Sequence, residues 1–164
     1  MVEVTVLGLA LDDKNQAPVL LLKDETGGVV LPIWIGAMEA VAISVILNNV
    51  DFPRPMTHDL LLTSLIQLGG TVEAVEVTRI ENGTFYAEVV VRRSGETQRI
   101  DSRPSDAVAL AVRAKCPIRV APAVLDQAGT KGGEVGEAVL DSEEAKKWSD
   151  ELEKMSVDDL KYKM

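Results

Sequence analysis

Aromatic side chains make up only 4% of the 164 residues, so a core must be assembled from Val, Leu, Ile and Ala rather than from stacked rings. A single cysteine, Cys116, excludes an internal disulfide and reads as a small buried apolar residue, with a reducing, cytoplasmic setting as the matching expectation. No P-loop, dinucleotide fingerprint, zinc-ligand spacing or nucleophile elbow occurs. No apolar run is long enough to cross a bilayer, because Pro32, Glu39, Asn48 and Asn49 interrupt the most hydrophobic region, and no membrane association is expected. The opening MVEVTVLGLALDD has Glu3 and no basic segment, which reads as a strand rather than a signal peptide. Positive charge is also short. The net charge is −9, with 15 acids against 11 bases up to residue 121 and 11 against 6 beyond it. That balance excludes the basic footprint of a tight duplex binder, although Arg79, Arg92, Arg93 and Arg99 leave a local basic strip open.

What the chain does have is a hydrophobic content of 46% and a mean hydropathy of +0.10, at a length that suits one domain with a real core. Strands are expected at 2–11, 19–23 and 29–35, separated by polar or Gly-containing turns. An apolar helix follows at 37–47, with Glu39 as its only charge. A second, amphipathic helix at 60–68 has Thr57 as its N-cap, Asp59 in its first turn and Gly69-Gly70 at its end. Residues 71–93 alternate polar and apolar around Asn82-Gly83, a strong hairpin signal, and Glu73, Glu76, Thr78 and Arg79 are assigned to a solvated sheet face. After a strand at 96–101, the stretch IDSRPSDAVALAVRAKCPIRV (100–120) reads as a polar turn over 101–106, a helix of small apolar residues and a strand started by Pro117. The overlapping TQRIDSRPSDAVALAVRAK (97–115) resembles VVLPIWIGAMEAVAISVIL (29–47), a faint internal echo that suggests two helices on one sheet. Residues 1–121 are therefore expected to be the domain, 122–141 an irregular linker or cover, and 142–164 an acidic helical tail.

Chemistry has few carriers. Glu39, Asp59, Asp101 and Asp106 all fall near helix starts, with His58, the only histidine, and Arg103 beside them. Carboxylate-held Mg²⁺ or Mn²⁺ can activate water and neutralise a phosphoryl group, a histidine can move the proton, and a guanidinium can fork onto phosphate. Each acid also has a capping explanation, and Arg103 could be a structural latch, so both readings stay open.

The segments LPIWIGAMEAVAI (31–43), RPMTHDLL (54–61), IDSRPSDAVALAVR (100–113) and PIRVAPAVL (117–125) together resemble the bifunctional nuclease family, bacterial and plant proteins described as having DNase and RNase activity. The resemblance covers residues 1–125. It implies an α+β fold with a strongly bent, mostly antiparallel sheet and helices packed against it, in a homodimer or larger homo-oligomer. The motif positions present are Glu39, His58, Asp59, Asp101, Ser102, Arg103, Ser105 and Asp106. The expected function is a metal-assisted nuclease acting on DNA or RNA, with weak nucleic-acid binding. In that reading Glu39, Asp101 and Asp106 hold the metal, His58 shuttles the proton, Arg103 binds phosphate and Asp59 assists. The rival is a non-catalytic oligomeric regulatory or small-anion-binding module.

Overall fold

Alternation of β-branched and polar residues produces two antiparallel ribbons that a short parallel strand joins into one sheet. The computed structural model describes residues 1–12 and 14–131. The first ribbon is a meander of β1 (Val2–Leu11), β2 (Pro18–Lys23) and β3 (Val29–Trp34). The second contains β4 (Gly70–Glu81), β5 (Thr84–Arg93) and β6 (Glu96–Ser102). With β7 (Ile118–Val120) and β8 (Thr130–Lys131) they form an eight-stranded sheet in the order β6-β5-β4-β7-β1-β2-β3-β8. Among the described residues only the β4–β7 pairing is parallel. β1 connects the first ribbon to the joining strand, since Val2–Val4 pair with β7 and Thr5–Leu11 run along β2. The fold is thus α+β with a mostly antiparallel, open sheet.

Among the described residues four helices accompany the sheet: α1 (Ala37–Leu47), α2 (Thr57–Gln67), α3 (Pro104–Ala114) and α4 (Pro122–Ala128). α3 is the central one, packing on β4 and β5 while α1 and α2 pack on it. Its run Ala107, Val108, Ala109, Leu110 and Ala111 is at most 1% exposed, because a helix covered on both sides needs small side chains to approach its neighbours closely. Pro104 opens α3 where a missing N–H costs nothing, and Lys115 ends it in the left-handed region. α1 also packs on β2, so the two helices of the internal echo do share one sheet. The core is aliphatic throughout, centred on Leu20, Leu22, Leu31, Ile43, Val75, Val108 and Leu110.

Several local expectations are corrected. The polar turn at 101–106 is divided: Asp101 and Ser102 end β6, while Ser105 and Asp106 lie in the first turn of α3. α2 starts at Thr57 with Met56 as its cap residue, and the free Met56 N–H is taken by the Asp59 carboxylate at 2.8 Å. Glu76 does not face solvent. It is 6% exposed: lying between the core residues Val75 and Val77 it points to the other face of the sheet, where it pairs with Arg99 and Arg119. The basic strip is largely compensated: Arg79 pairs with Glu81, Arg92 with Glu73, and Arg99 with Glu76 and Glu88. Residues 122–131 are not irregular; α4 buries Val124 and Leu125, and β8 pairs with β3. The rest of the expected linker and the acidic helical tail at 142–164 lie outside the described residues.

Candidate functional site

Three chain segments distant in sequence meet where α1, α2 and α3 come together. Glu39 comes from the first turn of α1, His58 and Asp59 from the first turn of α2, and Arg103 and Asp106 from the start of α3. The Arg103 guanidinium ties two of these segments, donating from Nε to Asp106 Oδ2 at 2.7 Å and from Nη1 to Glu39 Oε1 at 2.9 Å. His58 Nε2 lies 3.1 Å from the other Asp106 oxygen, Oδ1. With an ionised carboxylate as partner, the neutral ring carries its proton on Nε2 and leaves Nδ1 as the basic nitrogen. Nδ1 has no protein partner among the described residues and is not sealed from solvent.

Glu39, His58, Arg103 and Asp106 line an open cleft of about 260 Å³ together with Met38, Ala42, Met56, Thr57 and Arg113. The Arg103 side chain is 66% exposed, and its Nη2 has no acceptor among the described residues. Partial burial works to raise the Asp106 carboxyl, but the hydrogen bonds and charges of Arg103 and then His58 outweigh it and hold the group below its ordinary value. Asp106 in turn, followed by Glu39, raises the Arg103 guanidinium further above its already high value. The Glu39 carboxylate folds back over Gly36, the residue before α1. A Cβ at Gly36 would press on the Glu39 carboxylate, so a larger residue there requires Glu39 to shift from this position.

The cleft is braced by Arg113, whose side chain is only 3% exposed. Its Nε donates to Asp59 Oδ1 at 2.6 Å, and its Nη1 to the carbonyls of Ala42 and Ala109, each at 2.8 Å. One guanidinium thereby fastens α2 to α1 and α3. Sequence reasoning did not single out Arg113. The available signal was a lone base in the last turn of an otherwise apolar helix, which looks the same as a simple response to the helix dipole.

Among the expected site residues, Glu39, His58, Arg103 and Asp106 share the cleft. Asp59 adjoins it with both oxygens occupied, by Met56 N–H and by Arg113. Asp101 is exposed on β6 opposite Glu88 and does not line the cleft. The expected metal set of Glu39, Asp101 and Asp106 does not assemble, and among the described residues no three His, Cys, Asp or Glu side chains are grouped to hold an ion. Both oxygens of Asp106 and one of Glu39 are engaged by Arg103 and His58, so these donors do not fit a resident divalent ion. Two carboxylates and two guanidiniums line the cleft, and Arg113 is engaged by Asp59 and two carbonyls, so a bound anion depends on the exposed fork of Arg103.

Residues 20–132 match the Bifunctional nuclease domain family. Over 98% of this chain and 99% of the relative, the sequence is 38% identical to a Mycobacterium tuberculosis protein named only as uncharacterised. It is 33% identical to bifunctional nuclease 1 of Arabidopsis thaliana over 67% of this chain and 35% of that protein. The match to bifunctional nuclease 1 of Oryza sativa is 29% over 68% of this chain and 35% of the relative. The chain thus spans about a third of the length of the plant proteins it matches.

Proposed function

The chain belongs to the bifunctional nuclease domain family, and from that premise we propose that it hydrolyses phosphodiester bonds of DNA or RNA in the cleft between α1, α2 and α3. The observation that carries this reading is the continuous series His58–Asp106–Arg103 along one open cleft, in which a base, its orienting carboxylate and an anion-binding fork are already connected. Arg103 Nη2 binds a non-bridging phosphoryl oxygen. His58 Nδ1 takes the proton of the attacking water, and Asp106 holds the ring in the required tautomer and stabilises the imidazolium that forms. The same proton, returned to the leaving oxygen, restores the neutral ring. Glu39 holds the guanidinium from its other side, so the fork does not have to be ordered by substrate.

No step is routed through a metal, because the donors do not fit one as they stand. Metal assistance by Mg²⁺ or Mn²⁺ would draw on the carboxylate oxygens of Glu39 and Asp106, which Arg103 and His58 largely hold. The exposed Leu60, Leu61, Ile66 and Leu68 of the α2 region support a homodimer or larger assembly as part of the proposal. A second reading, a non-catalytic oligomeric regulatory or small-anion-binding module, is favoured by one observation: Arg103 already bridges α1 and α3 as a structural latch would.

The test is cleavage of single-stranded DNA and RNA by purified Asp106→Asn and Asp101→Asn variants, each with Mg²⁺ and with EDTA. Loss of about 100-fold is expected for Asp106→Asn, within the usual range for general acid–base catalysis, and a parental rate for Asp101→Asn. Parental cleavage by Asp106→Asn would leave only the second reading.

A further inference from the structure

Glu39 and Arg103 line a second cleft of about 350 Å³, adjacent to the first, and its other walls contain two of the chain's few aromatic residues, Trp34 and Phe85. We propose that this second cleft is a nucleobase subsite, in which a base of a single-stranded polynucleotide stacks on Trp34 and Phe85 while its phosphate is held by Arg103. The inference rests on the phosphodiesterase reading above and specifies the substrate class of the same site.

Three features support it. Trp34, the last residue of β3, is 55% exposed, although the four residues before it in that strand are buried. Its ring is nevertheless fixed: Nε1 donates to Asp12 Oδ2 at 2.8 Å, and Asp12 Oδ1 accepts the Lys14 N–H at 2.9 Å. An exposed ring held by its edge is a pre-organised platform, which loses little freedom when something stacks on its face. Phe85 enters from the other ribbon, just after the Asn82-Gly83 turn, where β4 pairs Ile80 with Phe85. The ribbons that the sheet joins therefore each contribute one aromatic to the same cleft. Finally, Arg103 faces both clefts, so a single guanidinium contacts the phosphate that links the reacting position to the stacked base.

This arrangement fits the composition. A chain with acidic excess gains little from phosphate neutralisation, whereas base–aromatic stacking needs no net positive charge and tolerates any sequence, DNA or RNA. Bases in a duplex are already stacked and paired, so the subsite selects single strands.

The experiment uses the full chain with Trp148→Phe, which leaves Trp34 as the only indole reporter. Probes are a short phosphorothioate-linked oligothymidylate and an abasic strand with the same number of linkages. The base-bearing strand is expected to quench Trp34 fluorescence and bind about 5-fold or more tighter than the abasic one. Trp34→Ala, read by binding of a labelled strand, lowers the affinity of the base-bearing strand to the abasic level, and Trp34→Phe restores part of the difference. The salt dependence should be shallow, with a slope near that of one or two neutralised phosphates, about −0.7 to −1.4. Equal affinity of the two strands for the parent overturns the base subsite and leaves the phosphodiesterase reading standing. Failure of both strands to bind overturns both. An equal loss for both strands on Trp34→Ala, or a change in its oligomeric mass, assigns Trp34 to structure or to a subunit interface and overturns the inference.

Discussion

Replacing Arg113 by methionine tests whether one buried guanidinium sets the geometry of the whole cleft. The side chain is 3% exposed and makes three hydrogen bonds, one to the Asp59 carboxylate and two to the carbonyls of Ala42 and Ala109. Breaking a fully buried ion pair costs about 3–5 kcal/mol, and a hydrogen bond to a charged group contributes about 1.5–3 kcal/mol. Two features bring the expected cost below the sum. Both carbonyls lie inside helices whose amides also satisfy them, and Asp59 is 32% exposed, so its freed oxygen can rehydrate. Methionine also fills most of the volume of the arginine stem. A loss of about 2–3 kcal/mol is therefore expected for Arg113→Met, a substantial part of the ~5–15 kcal/mol available to a domain. Urea unfolding of the parent, Arg113→Met, Asp59→Asn and the double variant measures it. The pair should couple by about 1 kcal/mol or more. A loss under about 0.5 kcal/mol, or strict additivity with Asp59→Asn, would refute the view that this contact fastens α2 to its neighbours.

Two further predictions concern the latch and the covering segment. The Asp106 carboxyl lies below its ordinary value of 3.8 in the folded chain, so it stabilises the fold above that value and the contribution is lost as pH falls through the lower folded value. The stability gap between the parent and Asp106→Asn, measured by urea unfolding across an acid series, should be full at neutral pH and close below about pH 3.8; a gap that widens with acid would contradict the assignment. Gly129→Ala should destabilise by about 1–3 kcal/mol, because the new Cβ would meet Leu125 O at 2.4 Å and Val29 Cγ1 at 2.5 Å; an unchanged thermal midpoint would mean that α4 is not seated on β3.

Much of the fold could be read from local chemistry. Asn82 and Gly83 both adopt positive φ, as the turn between β4 and β5 requires, and the first three strands follow their β-branched runs closely. The elements missed are those whose reason is not local. α4 was hidden in a Gly-containing stretch because Val124 and Leu125 gain their burial only from strands far away in sequence. Glu76 looks solvated because it lies between the apolar Val75 and Val77, whereas two arginines from β6 and β7 cover it and make its burial tolerable. At the site, residue types were legible and partnerships were not. Asp101 and Asp106 look equivalent in the sequence, yet a strand end and a helix start send them to different surroundings. Arg113 has no motif at all, since its role depends on three helices meeting.

The most direct measurement of the central claim is single-turnover cleavage of a single-stranded oligonucleotide by His58→Asn beside parent protein purified identically. With His58 Nδ1 as the base and Asp106 as its orienting partner, the variant should be slower by about 100- to 10,000-fold while still binding the strand. Cleavage by His58→Asn at the parental rate would contradict the account.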